Sequence, residues 1–194
     1  MVNLIIAGIG GQGVNTLAKV FANVLLQSNY YCQFTVHKGG AQSLGSVYAE
    51  FRISDQKLSN LGQGIPNKQL DILISLEPWE ALRHIALAHP KTQLWVETHA
   101  MPLFVERTGE ENIIESPQVQ LNALPEISIQ WQSYRETAQQ KMQTTKMANY
   151  FAGLDCIHSL NIFYHSANKS KYNNIDAALF DKLFFEHINK RKKT

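Results

Sequence analysis

The stretch that decides the fold is residues 5–21, which read IIAGIGGQGVNTLAKVF. It continues an apolar run that starts at residue 2 and is typical of a strand buried on both faces of a parallel sheet. Four glycines follow, and from Val14 onward the apolar residues recur at helical spacing. The stretch therefore predicts a strand over residues 2–7, a tight glycine turn, and a helix that ends near Ser28 and Asn29.

The rest of the chain alternates strand and helix patterns. Strands are predicted at residues 30–36, 46–53, 71–76, 92–98 and 127–132, and helices at 77–88, roughly 134–160 and after the sequence YNNID. Residues 99–125 predict irregular structure with one short helix. Residues 46–53 alternate in polarity and lack a crossover helix, so we expect an added edge or hairpin strand there.

This order of elements predicts a Rossmann-like α/β fold, with a mostly parallel sheet and helices on both faces. A length of 194 residues suits a single domain over 1–194, with long C-terminal helices at about 134–192. The net charge of +2 gives no reason to expect nucleic acid, and no apolar run reaches membrane length or resembles a signal peptide. We expect a cytoplasmic protein without a membrane partner.

Cysteine and histidine usage limits the chemistry of the chain. The two cysteines, Cys32 and Cys156, are expected to be buried free thiols, and a disulfide between them is the alternative. An iron–sulfur cluster held by this chain alone would need about four thiolates. The seven histidines do not show the spacing of a helical zinc pair, so we expect no metal site.

The glycine loop over residues 8–13 satisfies G-x-G-x-x-G between a strand and a helix, as a dinucleotide site requires. The helix start offers free amides to an anion. A dinucleotide site also wants an acid at the end of the second strand, but His37 and Lys38 stand there. Three interpretations stay open: a site for NAD or NADP, a turn shaped only by its glycines, and a site for another anionic group or a protein contact.

Three segments together carry a family resemblance: GIGGQGVNTLAKVFANVL, VHKGGAQSLGSVYAEFRIS and DILISLEPWEALRHI. In this order and spacing they resemble the gamma-type subunit of 2-oxoacid:ferredoxin oxidoreductases, and within that family the small subunit of indolepyruvate oxidoreductases. The resemblance covers about residues 4–90 well, fades through 91–140, and returns weakly in KMANYFAGLD.

The resemblance implies a function that this chain does not perform alone. Enzymes of the family convert 2-oxo acids to acyl-CoA with thiamine diphosphate and iron–sulfur clusters, and pass the electrons to ferredoxin. The gamma-type subunit carries neither the thiamine site nor the clusters, so we expect no catalytic residue here. We expect a large thiamine-dependent, iron–sulfur subunit as partner, a role in assembly and closure over CoA or substrate, and a homodimer when the chain is isolated. The alternative is a stand-alone nucleotide- or anion-binding protein for NADP, flavin or CoA.

Candidate site residues come from the loop and from the strand ends beside it. His37 is expected opposite the glycine loop, and Glu77 follows a strand at its carboxyl end, where α/β sheets bind ligands. Family members place Arg-Gly-Gly after an Ala-Gln pair, whereas here Ser43, Leu44 and Gly45 follow. The candidate cofactor-binding residues are Gly8, Gly10, Gly11, Gln12, Gly13, His37, Gln42, Ser43 and Glu77.

Overall fold

The computed structural model of the chain describes residues 1–40, 45–58, 62, 64–102, 115–140, 145–166 and 174–190. The strands of its sheet are β1 (Val2–Ile9), β2 (Tyr31–Lys38), β3 (Ser46–Ser54), β4 (Leu70–Ser75), β5 (Ala88–Glu97) and β6 (Ile129–Gln132). They lie in the order β2-β3-β1-β4-β5-β6, and β3 alone runs antiparallel to its neighbours. The predicted mostly parallel α/β sheet is confirmed.

Helices follow most of the strands. Within the described residues they are α1 (Val14–Gln27), α2 (Pro78–His84), α3 (Pro117–Asn122), α4 (Tyr134–Gln140), α5 (Thr145–Ser166) and α6 (Ala177–Lys190). The helix predicted over roughly 134–160 is two helices, α4 and α5, and α5 continues to Ser166. The helix predicted at 77–88 ends at His84 and is followed by a single 3₁₀ turn.

The hydrophobic core has two parts, one on each face of the sheet. Helices α1, α4, α5 and α6 cover one face, where Phe21 of α1 packs edge-on against Phe51 of β3 with ring centroids 5.3 Å apart. Helices α2 and α3 cover the other face around Leu73 and Leu94. All eight residues of β1 are buried, because this strand is central and both of its faces are covered. Helices on both faces are therefore confirmed.

Strand β3 occupies a different place from the one predicted. It forms a hairpin with β2, as expected, but it lies between β2 and β1 and is not an edge strand. The alternation of its residues is as predicted, with Ala49, Phe51 and Ile53 buried. Alternation reports only which face of a strand is buried, and both flanks of β3 are paired, so the edge prediction is wrong.

Both cysteines are free thiols. Cys156 lies fully buried in α5, whereas Cys32 is half-buried on β2. Burial raises the pKa of the Cys32 thiol to about 12, so it stays protonated and unreactive at neutral pH. Among the described helices, none combines the length and apolar character needed to cross a bilayer.

Candidate functional site

The first half of the glycine loop is closed by its own side chain. The Oε1 atom of Gln12 accepts a hydrogen bond from the amide of Ile9 at 2.9 Å. A Cβ atom at Gly8 would lie 2.6 Å from that Oε1 atom and 3.3 Å from Cβ of Leu76. A Cβ here would also lie 2.9 Å from a methyl carbon of Val14, so the turn leaves little room for a side chain at Gly8.

The second half of the loop forms the start of α1. Gly13 is the N-cap residue with a left-handed φ of 83°, and neither a capping side chain nor an acid in the first turn satisfies the helix start. The Asn149 side chain of α5 packs against it, with Nδ2 only 2.2 Å from the place of a Gly13 Cβ. Oδ1 of Asn149 and Nε2 of Gln12 are buried and have no hydrogen-bond partner within the described structure.

An open groove lies between the glycine loop and the β2–β3 hairpin, with a volume of about 520 Å³. Its described lining consists of Ile9, Gly10, Gly11, Gly13, Val14, Asn15, Lys38, Gly39, Gly40 and Val47. The charge in this lining is the ammonium of Lys38. Backbone amides at a helix start beside a cation favour an anionic visitor.

The hairpin that forms the far wall is held from two sides. The Gly10 amide donates to the carbonyl of Gly45 at 2.8 Å. On the other side Ser46 Oγ donates to Oε2 of Glu80 at 2.5 Å, and Arg83 Nε donates to Oε1 of the same carboxylate at 3.0 Å. Glu80 is therefore a buried anchor for the hairpin. The sequence shows only an acid in the first turn of a helix, so this role was missed.

His37 lies away from the groove. Its ring stacks on Tyr48 with centroids 4.5 Å apart, and its Nε2 lies 3.4 Å from Oε2 of Glu50. These residues belong to the outer face of the hairpin, in a separate depression of about 310 Å³ that Arg52 also lines. The stack continues inward, because the His84 ring of α2 meets Tyr48 edge-on at 4.5 Å.

Glu77 is almost fully buried and caps α2. Its Oε2 accepts the amide of Glu80 at 3.1 Å and its Oε1 accepts the amide of Met101 at 3.0 Å. Burial raises the pKa of this carboxyl, and the amide hydrogen bonds oppose the rise. The contacts given for Glu77 therefore tie α2 to the chain after β5, and this residue is not among those lining the groove.

A second buried carboxylate, which the sequence analysis missed, also accepts hydrogen bonds from two backbone amides. Glu97 at the end of β5 accepts the amide of His99 at 3.1 Å and the amide of Arg135 at 3.0 Å. Arg135 in turn donates to the carbonyl of Leu76 at 3.2 Å. A depression of about 420 Å³ opens beside them, lined also by Thr98 and Glu136. An acid at the end of a predicted strand was the available signal.

The predicted site residues thus fall into four groups. Gly10, Gly11 and Gly13 line the groove, and Gly8 and Gln12 shape the turn behind them. His37 and Glu77 lie elsewhere, as described above. Gln42 and Ser43 lie outside the described residues. In the part of the chain that the structure describes, no three side chains of His, Cys, Asp or Glu stand close enough to hold a metal ion.

The position of β3 also changes the relation between the loop and the end of β2. His37 pairs with Tyr48 on β3, and Tyr48 pairs with Ala7 on β1. With strands spaced by roughly 4.8 Å, the end of β2 lies about 10 Å from the end of β1 instead of beside it. A dinucleotide site relies on adjacent first and second strands, so this geometry disfavours the NAD interpretation.

Comparison with known proteins gives the family. The family model described as pyruvate ferredoxin/flavodoxin oxidoreductase matches residues 3–158. Subunit IorB of indolepyruvate oxidoreductase from Pyrococcus horikoshii is 36% identical over 83 residues, which are 43% of this chain and 40% of that protein. The same subunit from Methanothermobacter thermautotrophicus is 26% identical over 115 residues, or 59% and 53% of the two chains. The chain spans about half the length of the curated relatives it matches.

Solved structures share the fold at low sequence identity. The gamma subunit of a keto/oxoacid ferredoxin oxidoreductase from Geobacter sulfurreducens has a TM-score of 0.55 at 15% identity, and each chain is covered completely. A 2-oxoglutarate:ferredoxin oxidoreductase from Magnetococcus marinus has a TM-score of 0.60 at 12% identity, with all of this chain matching 31% of that one. Identities this low carry the fold alone, and the family follows from the match over residues 3–158: the chain belongs to the pyruvate ferredoxin/flavodoxin oxidoreductase family.

Proposed function

We propose that this chain is the small subunit of a 2-oxoacid:ferredoxin oxidoreductase, and that the complex acts on an aryl 2-oxo acid such as indolepyruvate. Such a complex uses thiamine diphosphate, iron–sulfur clusters and CoA for oxidative decarboxylation and delivers electrons to ferredoxin. A cluster needs about four thiolates, and this chain has two cysteines. We therefore assign the thiamine and the clusters to a larger partner subunit, and place the complex in the cytoplasm.

The observation that carries this proposal is the family match over residues 3–158, together with relatives that are subunits of indolepyruvate oxidoreductase. The match includes the glycine loop, α2 and every strand of the sheet from β1 to β6. It therefore covers the elements that form the groove and its far wall. The role that fits these elements is assembly with the large subunit and closure of its site, without a catalytic residue in this chain.

We further propose that the groove receives an anionic group, for which the phosphates of CoA are the candidates. Two features of the groove support this: the uncapped start of α1 and the Lys38 ammonium in its lining. A fixed cation and free amides stabilise phosphate oxygens through charge-assisted hydrogen bonds. Gln42 and Ser43 stay predictions as contributors from the hairpin, as do His37 and Glu77 as more distant ones.

The first experiment is purification of the tagged chain from an extract of its native cells at native expression. We expect a large thiamine-dependent, iron–sulfur subunit to be recovered with it. The purified complex should then reduce ferredoxin with indolepyruvate in a CoA-dependent reaction. Recovery of the chain without any such subunit would contradict the proposed function.

The second experiment tests the groove in the complex. Lys38→Gln should raise the KM for CoA by about tenfold, since one charge-assisted contact to phosphate is lost, while kcat stays unchanged. Lys19→Gln is the matched control, because Lys19 is an exposed cation on α1 that is not among the groove's lining residues. Equal KM values for the two variants would reject the groove as the anion site and leave the subunit assignment intact.

The second candidate function is a stand-alone anion-binding protein, which is favoured by the fact that a groove with a cation forms within this one chain. Thermal unfolding of the isolated chain with CoA, NADP, NAD and FAD separates the two. A ligand present at 100 times its Kd stabilises by roughly 2.7 kcal/mol, which is easily measured. A large upward shift of Tm with NADP or FAD, without any partner subunit in the extract, would favour the stand-alone function.

A further inference from the structure

Strand β2 is an exposed edge of the sheet. Within the described structure β3 pairs with one side of it, and no strand pairs with the other. Five of its eight residues are exposed. They include two aromatic residues, Tyr31 and Phe34, whose exposures of 48% and 37% are high for large hydrophobic side chains. A row of amides and carbonyls with no partner strand therefore lies along this edge.

This edge lacks the features that normally prevent strand addition. Protected edges are short, bulged or interrupted by proline or by charges in the middle of the strand. Strand β2 pairs with β3 at eight consecutive positions without a register shift, and its one lysine stands at its end. The opposite edge of the sheet, β6, has only four residues. The two edges thus differ, and β2 is the one suited to accept a further strand.

We propose that β2 pairs antiparallel with β2 of a second copy of this chain, centred on Phe34, so that the two sheets become continuous. A two-fold axis through Phe34 places residues whose numbers sum to 68 opposite each other. In each such pair the two residues are both odd-numbered or both even-numbered. Side chains on one face of the first sheet therefore meet side chains on the corresponding face of the second.

The charges of the strand suit pairing with itself. In this register Gln33 lies opposite Thr35 of the second copy and Tyr31 opposite His37. Lys38 falls beyond the paired segment, because the residue opposite it, Tyr30, precedes β2 and already donates its amide to the Leu25 carbonyl. No two like charges meet, and like charges directly opposite would destabilise an antiparallel pair. The Phe34 rings, each already stacked on Phe51 at 5.3 Å, are neighbours at the axis. An isologous interface of this kind closes at two copies and does not propagate.

The test is sedimentation velocity on the isolated chain and two charge variants. Gln33 pairs with Arg52 on β3 and Thr35 pairs with Glu50, so Gln33→Glu with Thr35→Lys suits the neighbours within the chain. The same variant puts opposite charges face to face across the proposed axis. Gln33→Lys with Thr35→Lys puts two pairs of like charges there. The variants share the change at Thr35 and differ only in the sign at residue 33.

We expect the unaltered chain and the Glu/Lys variant to dimerise, and the Lys/Lys variant to dimerise about tenfold more weakly. The matched control is Ser128→Lys with Gln130→Lys, two exposed positions just before and within β6, and it should dimerise like the unaltered chain. Gln33 and Thr35 are exposed, so circular dichroism and Tm should confirm that every variant folds.

Two results would overturn the proposal. In the first, the Lys/Lys variant dimerises as tightly as the Glu/Lys variant, which places the interface elsewhere. In the second, the unaltered chain is a monomer at every concentration; capture of the large subunit from extract by the unaltered chain but not by the Lys/Lys variant then identifies what occupies the edge. The edge would then accept a strand of that subunit instead. The proposal is independent of the proposed function, because dimerisation is measured on this chain alone.

Discussion

Gly11 and Gly13 share a left-handed backbone but differ in their surroundings. Their φ angles are 96° and 83°; a Cβ at Gly11 would meet no atom within 4 Å, whereas one at Gly13 would meet Nδ2 of Asn149 at 2.2 Å. We predict that Gly11→Ala lowers the free energy of unfolding by about 1 kcal/mol through backbone strain alone. Gly13→Ala should lower it by about 2–4 kcal/mol, because a steric clash adds to the strain. Urea unfolding of the two variants measures both values.

Replacing Asn149 with alanine separates the two causes of the stability loss in Gly13→Ala, which are backbone strain and the steric clash with Asn149. Asn149→Ala removes the atoms that clash, so in that background Gly13→Ala should cost little more than Gly11→Ala does. A Gly13→Ala cost that is unchanged by Asn149→Ala would mean that the close approach of α5 is not what requires a glycine here.

At the residue scale, the sequence predicts the glycine turn and the helix start but not their neighbours. The G-x-G-x-x-G spacing is local, and a tight strand–helix turn is encoded within six residues. The atom that lies nearest to a Cβ at Gly13 belongs to Asn149, far along the chain. The carboxylate of Glu80 likewise meets Ser46 from another element. Contacts between distant segments depend on how the helices pack, which no local pattern contains.

His84 provides a pH-dependent prediction. Burial, together with smaller effects of the nearby Arg83 and His37, lowers the pKa of this imidazole from 6.5 to about 4. Because the folded pKa lies below the unfolded value, the stabilising contribution is complete above pH 6.5 and is lost as the pH falls from 6.5 toward 4. The full effect is about 3 kcal/mol.

An NMR titration of the His84 ring protons measures that pKa directly. His84→Gln should weaken the loss of stability between pH 6.5 and 4 relative to the unaltered chain. Raised pKa values of buried carboxyls such as Asp71 and Asp155 act in the opposite direction in both proteins, so the comparison isolates His84. A midpoint near 6.5 in the folded protein would show that the ring is accessible to water.

A partly buried hydrogen bond links helices α4 and α5. The hydroxyl of Tyr134 donates to Oδ2 of Asp155 at 2.7 Å, and the Tyr134 side chain is only 2% exposed. Tyr134→Phe leaves this partly buried carboxylate without its donor, so we predict a loss of about 1–3 kcal/mol in the free energy of unfolding. Chemical denaturation of the variant gives the value.

A second tyrosine on α5 is the matched control for that experiment. Tyr150 donates to Oδ1 of Asp181 on α6, also at 2.7 Å, but its side chain is only half-buried. Tyr150→Phe should cost less than Tyr134→Phe because water can replace the lost donor. If the two variants lose equal stability, burial is not what sets the cost.

At the element scale, the sequence predicts where helix forms but not which residues α5 buries. Among the large apolar residues of this segment, Phe151 and Leu154 are only half-buried, whereas Ile157 is buried. The buried positions spaced by four begin with small residues, Ala148, Ala152 and Cys156, and continue with Leu160 and Tyr164. Small side chains let α5 approach its neighbours closely, and a Cβ at Gly153 would meet the Phe180 ring at 2.1 Å. A hydrophobicity pattern favours large residues and overlooks this mode of packing.

Across the whole sheet, protection of the backbone amides against hydrogen exchange should decrease toward β2. Strand β1 is buried at every position and paired on both sides, whereas β2 is paired on one side and mostly exposed. We predict that amides of β1 and β4 exchange hydrogen only on global unfolding, and that the outward amides of β2 exchange fastest among the six strands. Hydrogen exchange on a dilute sample measures the order. Equal protection of β1 and β2 when dilute would contradict it.

At the scale of the whole molecule, the α/β class, the parallel majority and the two covered faces follow from the sequence. The central strands β1 and β4 are short apolar runs, and α1 and α2 follow them directly in the chain. The place of β3 does not follow, because alternation over Ser46–Ser54 is compatible with either flank of the sheet. The location of the groove depends on that placement: inserting β3 separates β2 from β1 and makes the hairpin, not the end of β2, the wall opposite the glycine loop.

The central strand of the sheet is also the first one to be synthesised. When β1 leaves the ribosome it is an apolar segment without neighbours, since β3 ends at Ser54 and β4 begins only at Leu70. The β2–β3 hairpin, whose contacts are local, is the first part of the sheet able to form. Strand β1 then pairs with the free side of β3. Until then the nascent chain exposes the apolar β1 segment to solvent. Its yield in cells should therefore depend on chaperones that bind emerging chains.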